Sequence, residues 1–371
     1  MPPLTLMIKP ASGACNMRCG YCFYMDEMDN RSEGAYGFMG GETAGAVIRR
    51  ALTYAEGSVS FVFQGGEPTL VGAGFYRDWL SAVKQQNTRG LQVTYALQTN
   101  ALELTDDMLS VLKEGGFLVG VSLDGNEAIH DGRRRTAGGA PTFARVSSNI
   151  DRLREHGIPY NVLCVVDQVV AGQAKATYEA LRRHGYLQFI PCLEPLGETD
   201  TVLSAAAYGE FLVSLFDCYE HDYRAGNYVS VLQFDNWIRM LRGLPPTACG
   251  MRGTCAPNYV VESNGQVYPC DFYALDEWLL GNLHTDSLYR VAKSDLLAEF
   301  LRQSALPDTK CVGCDWRVLC RGGCRRDRQT GATDQPGLNR LCEGYRLFFD
   351  SRYGALDALS KIPVDTLPQQ R

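Results

Sequence analysis

Eleven of the fourteen cysteines in this chain fall into two groups, and no other feature restricts so strongly what it can fold into. Cys15, Cys19 and Cys22 lie near the start; Cys249, Cys255, Cys270, Cys311, Cys314, Cys320, Cys324 and Cys342 lie near the end. A small secreted domain would use such residues as disulfides, but this chain has 371 residues, and Met1 to Pro10 carries prolines and a lysine with no signal-peptide pattern. Short spacings in a chain of this size point to metal or cluster ligation. Cys164, Cys192 and Cys218 stand among apolar neighbours, where a free cysteine behaves as a small hydrophobe, and they are assigned no chemistry. Hydrophobic residues make up 45% of the chain, enough to close a sizeable core, and the net charge of -6 argues against nucleic acid or anionic lipid as partner. No apolar run reaches the length of a membrane span, so a cytoplasmic protein is expected.

Up to about residue 191, short β-branched runs alternate with longer amphipathic stretches. Strands are predicted over 4–8, 59–63, 92–97, 117–123, 160–166 and 187–190, with helices over 42–55, 75–86, 106–114, 142–156 and 174–184. Successive strand-helix-strand units imply parallel pairing with right-handed crossovers, and six are too few for a closed eight-stranded barrel. An α/β fold is therefore expected, as an open, partial barrel. Helices follow over 205–225 and 234–241, then a boundary at Pro245-Pro246. Residues 259–268 read as a hairpin around Asn264-Gly265, and Cys270 follows its second strand. From 309 to 328 the chain is rich in Cys, Gly and Arg and lacks periodicity, as in segments held by ligands more than by a core. The expected divisions are 1–200, a helical connector over 201–245, and 246–371.

Cys15, Cys19 and Cys22 fall in the loop after the first strand, and in βα architectures such loops build the active site. Structural zinc asks for four ligands, and the nearest histidine in sequence is His130. A cubane iron–sulfur cluster on three thiolates instead leaves one iron open to a small molecule. A zinc loop completed by a distant residue is the competing reading.

Cys-x3-Cys-x2-Cys with Tyr21 before the last cysteine resembles the radical S-adenosylmethionine enzymes. That resemblance implies a partial (β/α)6 TIM-like barrel, S-adenosylmethionine chelated to the open iron, and its cleavage to a 5'-deoxyadenosyl radical. It also implies roles for particular residues. Gly66, in the Gly65-Gly66-Glu67-Pro68 turn, would hold the cofactor's ammonium; Ser122 the ribose; Arg134 the carboxylate; and Leu193 the adenine. Which of Arg133, Arg134 and Arg135 reaches in is left open, and core packing would explain Leu193 equally well.

The eight later cysteines resemble the small SPASM domain of peptide-modifying radical enzymes, which binds two auxiliary 4Fe-4S clusters, for three clusters in all. By that resemblance Cys249, Cys255, Cys270 and Cys324 hold one, and Cys311, Cys314, Cys320 and Cys342 the other; two zinc ribbons are the competing reading. The segments MPPLTLMIKPASGACNMRCGYCFY, FVFQGGEPTL, LQTN, GVSLDG, VVESNGQVYPCDFY and CRGGCRR resemble the anaerobic sulfatase-maturating enzymes along nearly the whole chain. These oxidise a cysteine or serine of an unfolded or nascent sulfatase polypeptide to Cα-formylglycine, with an electron donor such as ferredoxin or flavodoxin. The resemblance makes Asp271 the base that takes the target's thiol or hydroxyl proton, against a purely structural role beside Cys270. Gln64, Gln98 and Asn100 are placed either to touch substrate or to orient the barrel. A SPASM maturase forming thioether or carbon–carbon crosslinks, and a non-enzymatic zinc or cluster scaffold, are the other functions considered.

Overall fold

The computed structural model describes residues 3–198, 202–328 and 336–362. Its chain divides into two compact units: Met1–Ser122 with Asp131–Tyr160 and Pro257–Phe300, and Leu123–His130 with Asn161–Ala256 and Leu301–Arg371.

In the first unit the strands Leu4–Lys9, Ser58–Phe63, Gln92–Thr99 and Leu118–Ser122 pair in parallel, in registers such as Leu4 with Val59, Val59 with Val93, and Leu97 with Val119. The helices Gly41–Tyr54, Ala73–Gln86 and Asp106–Glu114 run between them. Local chemistry explains the boundaries of the last. Thr105 accepts a hydrogen bond from the amide of Met108 at its start, Asp106 and Asp107 sit in the first turn and Lys113 in the last, all favourable to the helix dipole. Its Met108, Leu109, Val111 and Leu112 are buried. Phe61, Phe63, Tyr76, Trp79 and Phe117 are all buried, and the Phe63 ring meets Tyr76 and Trp79 edge-on at 5.1 Å each. Burying each such ring stabilises the unit by roughly 1.5–3 kcal/mol.

Val260–Glu262 adds to the same sheet, parallel to the first strand, with Lys9 opposite Glu262. Gln266–Tyr268 returns antiparallel to it, so the predicted hairpin forms, its turn closed by Gly265 at φ 86°. A two-stranded ribbon that periodicity did not reveal pairs Met17–Cys19 with Arg134–Thr136.

In the second unit the strands ending at Val166, Pro191 and Val231 lie side by side in parallel. Helix Ala205–Arg224 forms as expected. Helix Cys342–Ser360 was not expected, and it packs closely on the former because two glycines face each other. A Cβ on Gly344 would strike the carbonyl of Ala205, and one on Gly209 would strike the backbone of Gly344. Trp237 stacks on Phe348 at 4.8 Å to complete this core. Between 309 and 328 the chain forms only single turns, Thr309–Cys311, Arg317–Cys320 and Arg326–Arg328, as its composition led us to expect. The predicted strands and helices up to residue 241 all occur, with ends displaced by one or two residues; the stretch 182–184 closes its helix as a tight 3-10 turn. No described helix is long and apolar enough to cross a membrane.

Candidate active site

The loop after the first strand carries Cys15, Cys19 and Cys22 close enough to influence one another electrostatically. Three polar groups face their sulfurs. The Met17 amide lies 3.4 Å from Cys15 Sγ, Asn100 Nδ2 lies 3.6 Å from the same atom, and Arg134 Nη1 lies 3.7 Å from Cys19 Sγ. Arg134 is held there because the Met17–Cys19 ribbon pairs Cys19 with it directly. Arg133 covers one side of the Tyr21 ring at 4.6 Å and Arg134 lies 5.4 Å from its centre, whereas Arg135 is exposed and donates to the carbonyl of Gly139. Of the three arginines, then, two are at the cysteine loop and one is turned to solvent.

Gly65 and Gly66 take φ values of 90° and 55°, the left-handed region that other residues enter at a cost. A Cβ on Gly66 would collide with the carbonyl of Ala14, next to Cys15, and that carbonyl accepts the amide of Glu67 at 2.8 Å. The turn is thus seated on the cysteine loop. Glu67 is fully buried and accepts from Thr69 Oγ1, Thr99 Oγ1 and the amide of Asn100, which ties the turn to the end of the third strand. Asn100 in turn donates to Asn16 at 2.9 Å. Ser122 accepts from Gln98 at 3.1 Å, so Gln98 is engaged within the strand ends. Leu193 is half-buried and belongs to the second unit.

Asp271, one residue beyond Cys270, is 5% exposed. Its Oδ2 accepts from Tyr24 Oη at 2.6 Å and from Gln64 Nε2 at 2.9 Å, while Oδ1 is buried without a hydrogen-bond partner. Burial pushes this carboxyl above the ordinary range, opposed by the charge of Lys9 and by the two hydrogen bonds. Behind it lies a cluster that sequence reasoning missed: Lys9, Glu27, Arg31 and Glu262. Glu262 Oε1 accepts Lys9 Nζ at 2.9 Å and Arg31 Nη1 at 2.7 Å, and these two cations outweigh burial and hold Glu262 below the ordinary carboxylate range. Glu27 forms a longer ion pair with Lys9 Nζ, at 3.7 Å, and burial pushes it up to about 8 against the pull of Lys9 and Arg31. With Glu27 protonated and Asp271 ionised, Lys9 and Arg31 would balance Glu262 and Asp271 and leave the cluster neutral. The one signal in the sequence was a lysine closing the mostly apolar strand Leu4–Lys9.

The later cysteines also gather. Cys324 is influenced by Cys255 and Cys249, and Cys320 by Cys342, Cys311 and Cys314; the last four line one cavity. Cys270 lies in the first unit, just after the hairpin. Among the described residues no three His, Cys, Asp or Glu side chains are spaced to close on a single metal ion. Cysteine-only donor sets fit an iron–sulfur cubane, whose irons sit at separate corners and take one thiolate each.

The described site agrees with what the chain resembles. Residues 10–181 match the radical SAM superfamily, and residues 254–315 match an iron–sulfur cluster-binding domain, SPASM. A cysteine-type anaerobic sulfatase-maturating enzyme of Clostridium novyi is 38% identical over 367 residues, covering 97% of this chain and 98% of that one. The chain belongs to the anaerobic sulfatase-maturating enzymes. A serine-type sulfatase-maturating enzyme of Bacteroides thetaiotaomicron is 30% identical over 97% of this chain and 92% of its own. The solved structure of native anSMEcpe with bound AdoMet and Cp18Cys peptide is 36% identical, with a TM-score of 0.92, covering 97% of this chain and 99% of that chain. This sulfatase-maturating enzyme is therefore a radical S-adenosylmethionine oxidoreductase of the formylglycine-generating kind, built as a TIM-like partial barrel with a SPASM domain and using S-adenosylmethionine and iron–sulfur clusters. The scaffold and crosslinking readings give way to it.

Proposed function

We propose that the enzyme converts a cysteine of an unfolded or nascent sulfatase polypeptide to Cα-formylglycine, in the cytoplasm, with Asp271 as the base. The relatives named cysteine-type share 38% of their residues with this chain and those named serine-type about 30%, which supports a cysteine target. We assign three 4Fe-4S clusters: one to Cys15, Cys19 and Cys22; one to Cys249, Cys255, Cys270 and Cys324; one to Cys311, Cys314, Cys320 and Cys342. The division into 1–200, 201–245 and 246–371 follows these roles. S-adenosylmethionine would sit against Gly66, Tyr21, Ser122, Arg134 and Leu193, and an electron donor of the ferredoxin or flavodoxin class would serve the enzyme.

Once bound, S-adenosylmethionine and the clusters would supply the hydrogen-atom abstraction at the target Cβ and an acceptor for one electron afterwards. The protein's own residues provide the proton chemistry. Between those two events the thiol proton must leave, so that the carbon radical can release its electron and become a thioaldehyde, which water hydrolyses to the aldehyde with loss of hydrogen sulfide. Asp271 is built to accept that proton. Tyr24 and Gln64 both donate to Oδ2 and fix the carboxylate, which leaves Oδ1 as a buried acceptor with nothing bound to it. That unspent acceptor is the observation carrying the assignment. Lys9 favours the ionised form the base needs.

The Asp271→Asn variant tests it, because Asn keeps the size and the hydrogen-bond acceptor but takes no proton. The expected enzyme holds its full iron and forms 5'-deoxyadenosine with a sulfatase-derived peptide, while formylglycine falls by about 10²-fold or more, the usual loss with a general base. Near-normal formylglycine from a fully loaded variant would overturn the assignment.

A further inference from the structure

The cavity lined by Cys311, Cys314, Cys320 and Cys342 has a basic rim. Lys310, Arg317 and Arg346 line it, against a single carboxylate, Glu343. Apart from the cysteines themselves, this lining sets three cationic side chains against one carboxylate, in a chain whose net charge is -6. All three cations are exposed, and among the described residues none is in an ion pair. Val312 and Val318, each 69% exposed, are the most exposed large hydrophobic side chains described, and both belong to the turns that carry these cysteines. Trp316 also lines the cavity, fixed by its indole N–H to Asp350 at 2.6 Å and stacked on Phe349. Unpaired cations around solvent-facing apolar side chains form a surface that gains from an acidic partner with a small apolar centre.

We propose that this face docks an acidic one-electron carrier protein over the Cys311, Cys314, Cys320 and Cys342 group. The inference rests on reading those four cysteines as cluster ligands, and it goes beyond that reading by placing the partner and naming the side chains that receive it. The exchange is a single electron between the carrier's cofactor and the sulfur-ligated group, with no bond made or broken and no proton moved. Electron transfer over such a path falls off steeply with distance, and the half-buried cysteines at the cavity wall let a carrier come close. The three cations set orientation and encounter rate, and the two valines supply the desolvated contact.

The test uses the loaded enzyme and an acidic flavodoxin as probe, with affinity read by fluorescence anisotropy at low and high salt. The parent should bind more weakly as salt rises. The variant Lys310→Glu, Arg317→Glu, Arg346→Glu should lose affinity at least tenfold at low salt and lose most of the salt dependence, and the uncharged variant Val318→Ser should lose affinity with the salt dependence intact. Equal affinity of parent and triple variant would overturn the docking surface. Iron analysis of Cys311→Ser and Cys342→Ser separates this from a failure of the ligand reading: loss of iron upholds the ligands whatever the flavodoxin does, and unchanged iron sinks the ligand reading and the docking proposal with it.

Discussion

Replacing Glu27 with Gln should make the enzyme more stable above neutral pH, and the size of the gain follows from the buried charges around it. Glu27 is 3% exposed, neither carboxyl oxygen has a side-chain hydrogen bond, and its nearest cation, Lys9 at 3.7 Å, is already engaged by Glu262 at 2.9 Å. The carboxyl therefore keeps its proton up to about pH 8 in the folded enzyme, while in the unfolded chain it loses it in the ordinary range. Between those values the native state binds one proton more than the unfolded state, so stability falls as pH rises, and it levels off above the folded value. At ~1.4 kcal/mol per unit, rounded where the group half-titrates, the loss from pH 6 to pH 8 is about 2 kcal/mol. Gln mimics the protonated form and has no such slope. With an unfolding entropy of ~2 cal/mol/K per residue, the melting temperature of the parent should drop by about 3 °C more than that of Glu27→Gln over the same interval. Anaerobic calorimetry of the loaded enzymes at pH 6, 7 and 8 measures this. Parallel curves would show that Glu27 is ionised throughout, and the account of a neutral cluster behind Asp271 would fail.

Replacing Cys15, Cys19 and Cys22 together by Ala should remove about four irons per chain and leave about eight, with S-adenosylmethionine cleavage abolished; stoichiometric zinc in anaerobically purified protein would refute the three-cluster assignment. Gly66→Ala combines a left-handed φ, costing roughly 1 kcal/mol, with a collision at the Ala14 carbonyl. It should weaken S-adenosylmethionine binding at least tenfold by calorimetric titration, and parent-like affinity would show that the turn does not form part of the cofactor site.

Sequence carried the architecture wherever a signal was local. Each of the six strands predicted between 4 and 191 announces itself by alternating or continuous apolar residues, and Asn264-Gly265 marks the hairpin without any knowledge of its neighbours. Helix Cys342–Ser360 escaped because its partner is remote. Only the meeting of Gly344 with Gly209 shows why two helices approach to backbone contact, and no periodicity within 342–360 contains that information. The Met17–Cys19 ribbon is hidden for the same reason, since three residues have no period to read and their partner lies more than a hundred positions away.

The site divides along the same line, and the division says what kind of chemistry a sequence exposes. Cysteine spacing is local, so the eleven candidate cysteines stand out; their division into ligand sets and the role proposed for Asp271 come from the resemblance. The charges that govern Asp271 are not local at all. Lys9 meets Glu262 because the first strand and the hairpin align those two positions in parallel register, and Arg31 reaches the same carboxylate from a separate loop. Taken singly, each of these residues reads as an ordinary charge on a strand or loop end. Brought together in a buried space, two cations and three carboxylates cannot all be ionised without leaving net charge in a low-dielectric medium, so one proton stays, and it stays on Glu27, the carboxyl with the poorest partner. The consequence reaches Asp271: burial pushes its carboxyl up, and the charge of Lys9, together with the hydrogen bonds from Tyr24 and Gln64, opposes that shift.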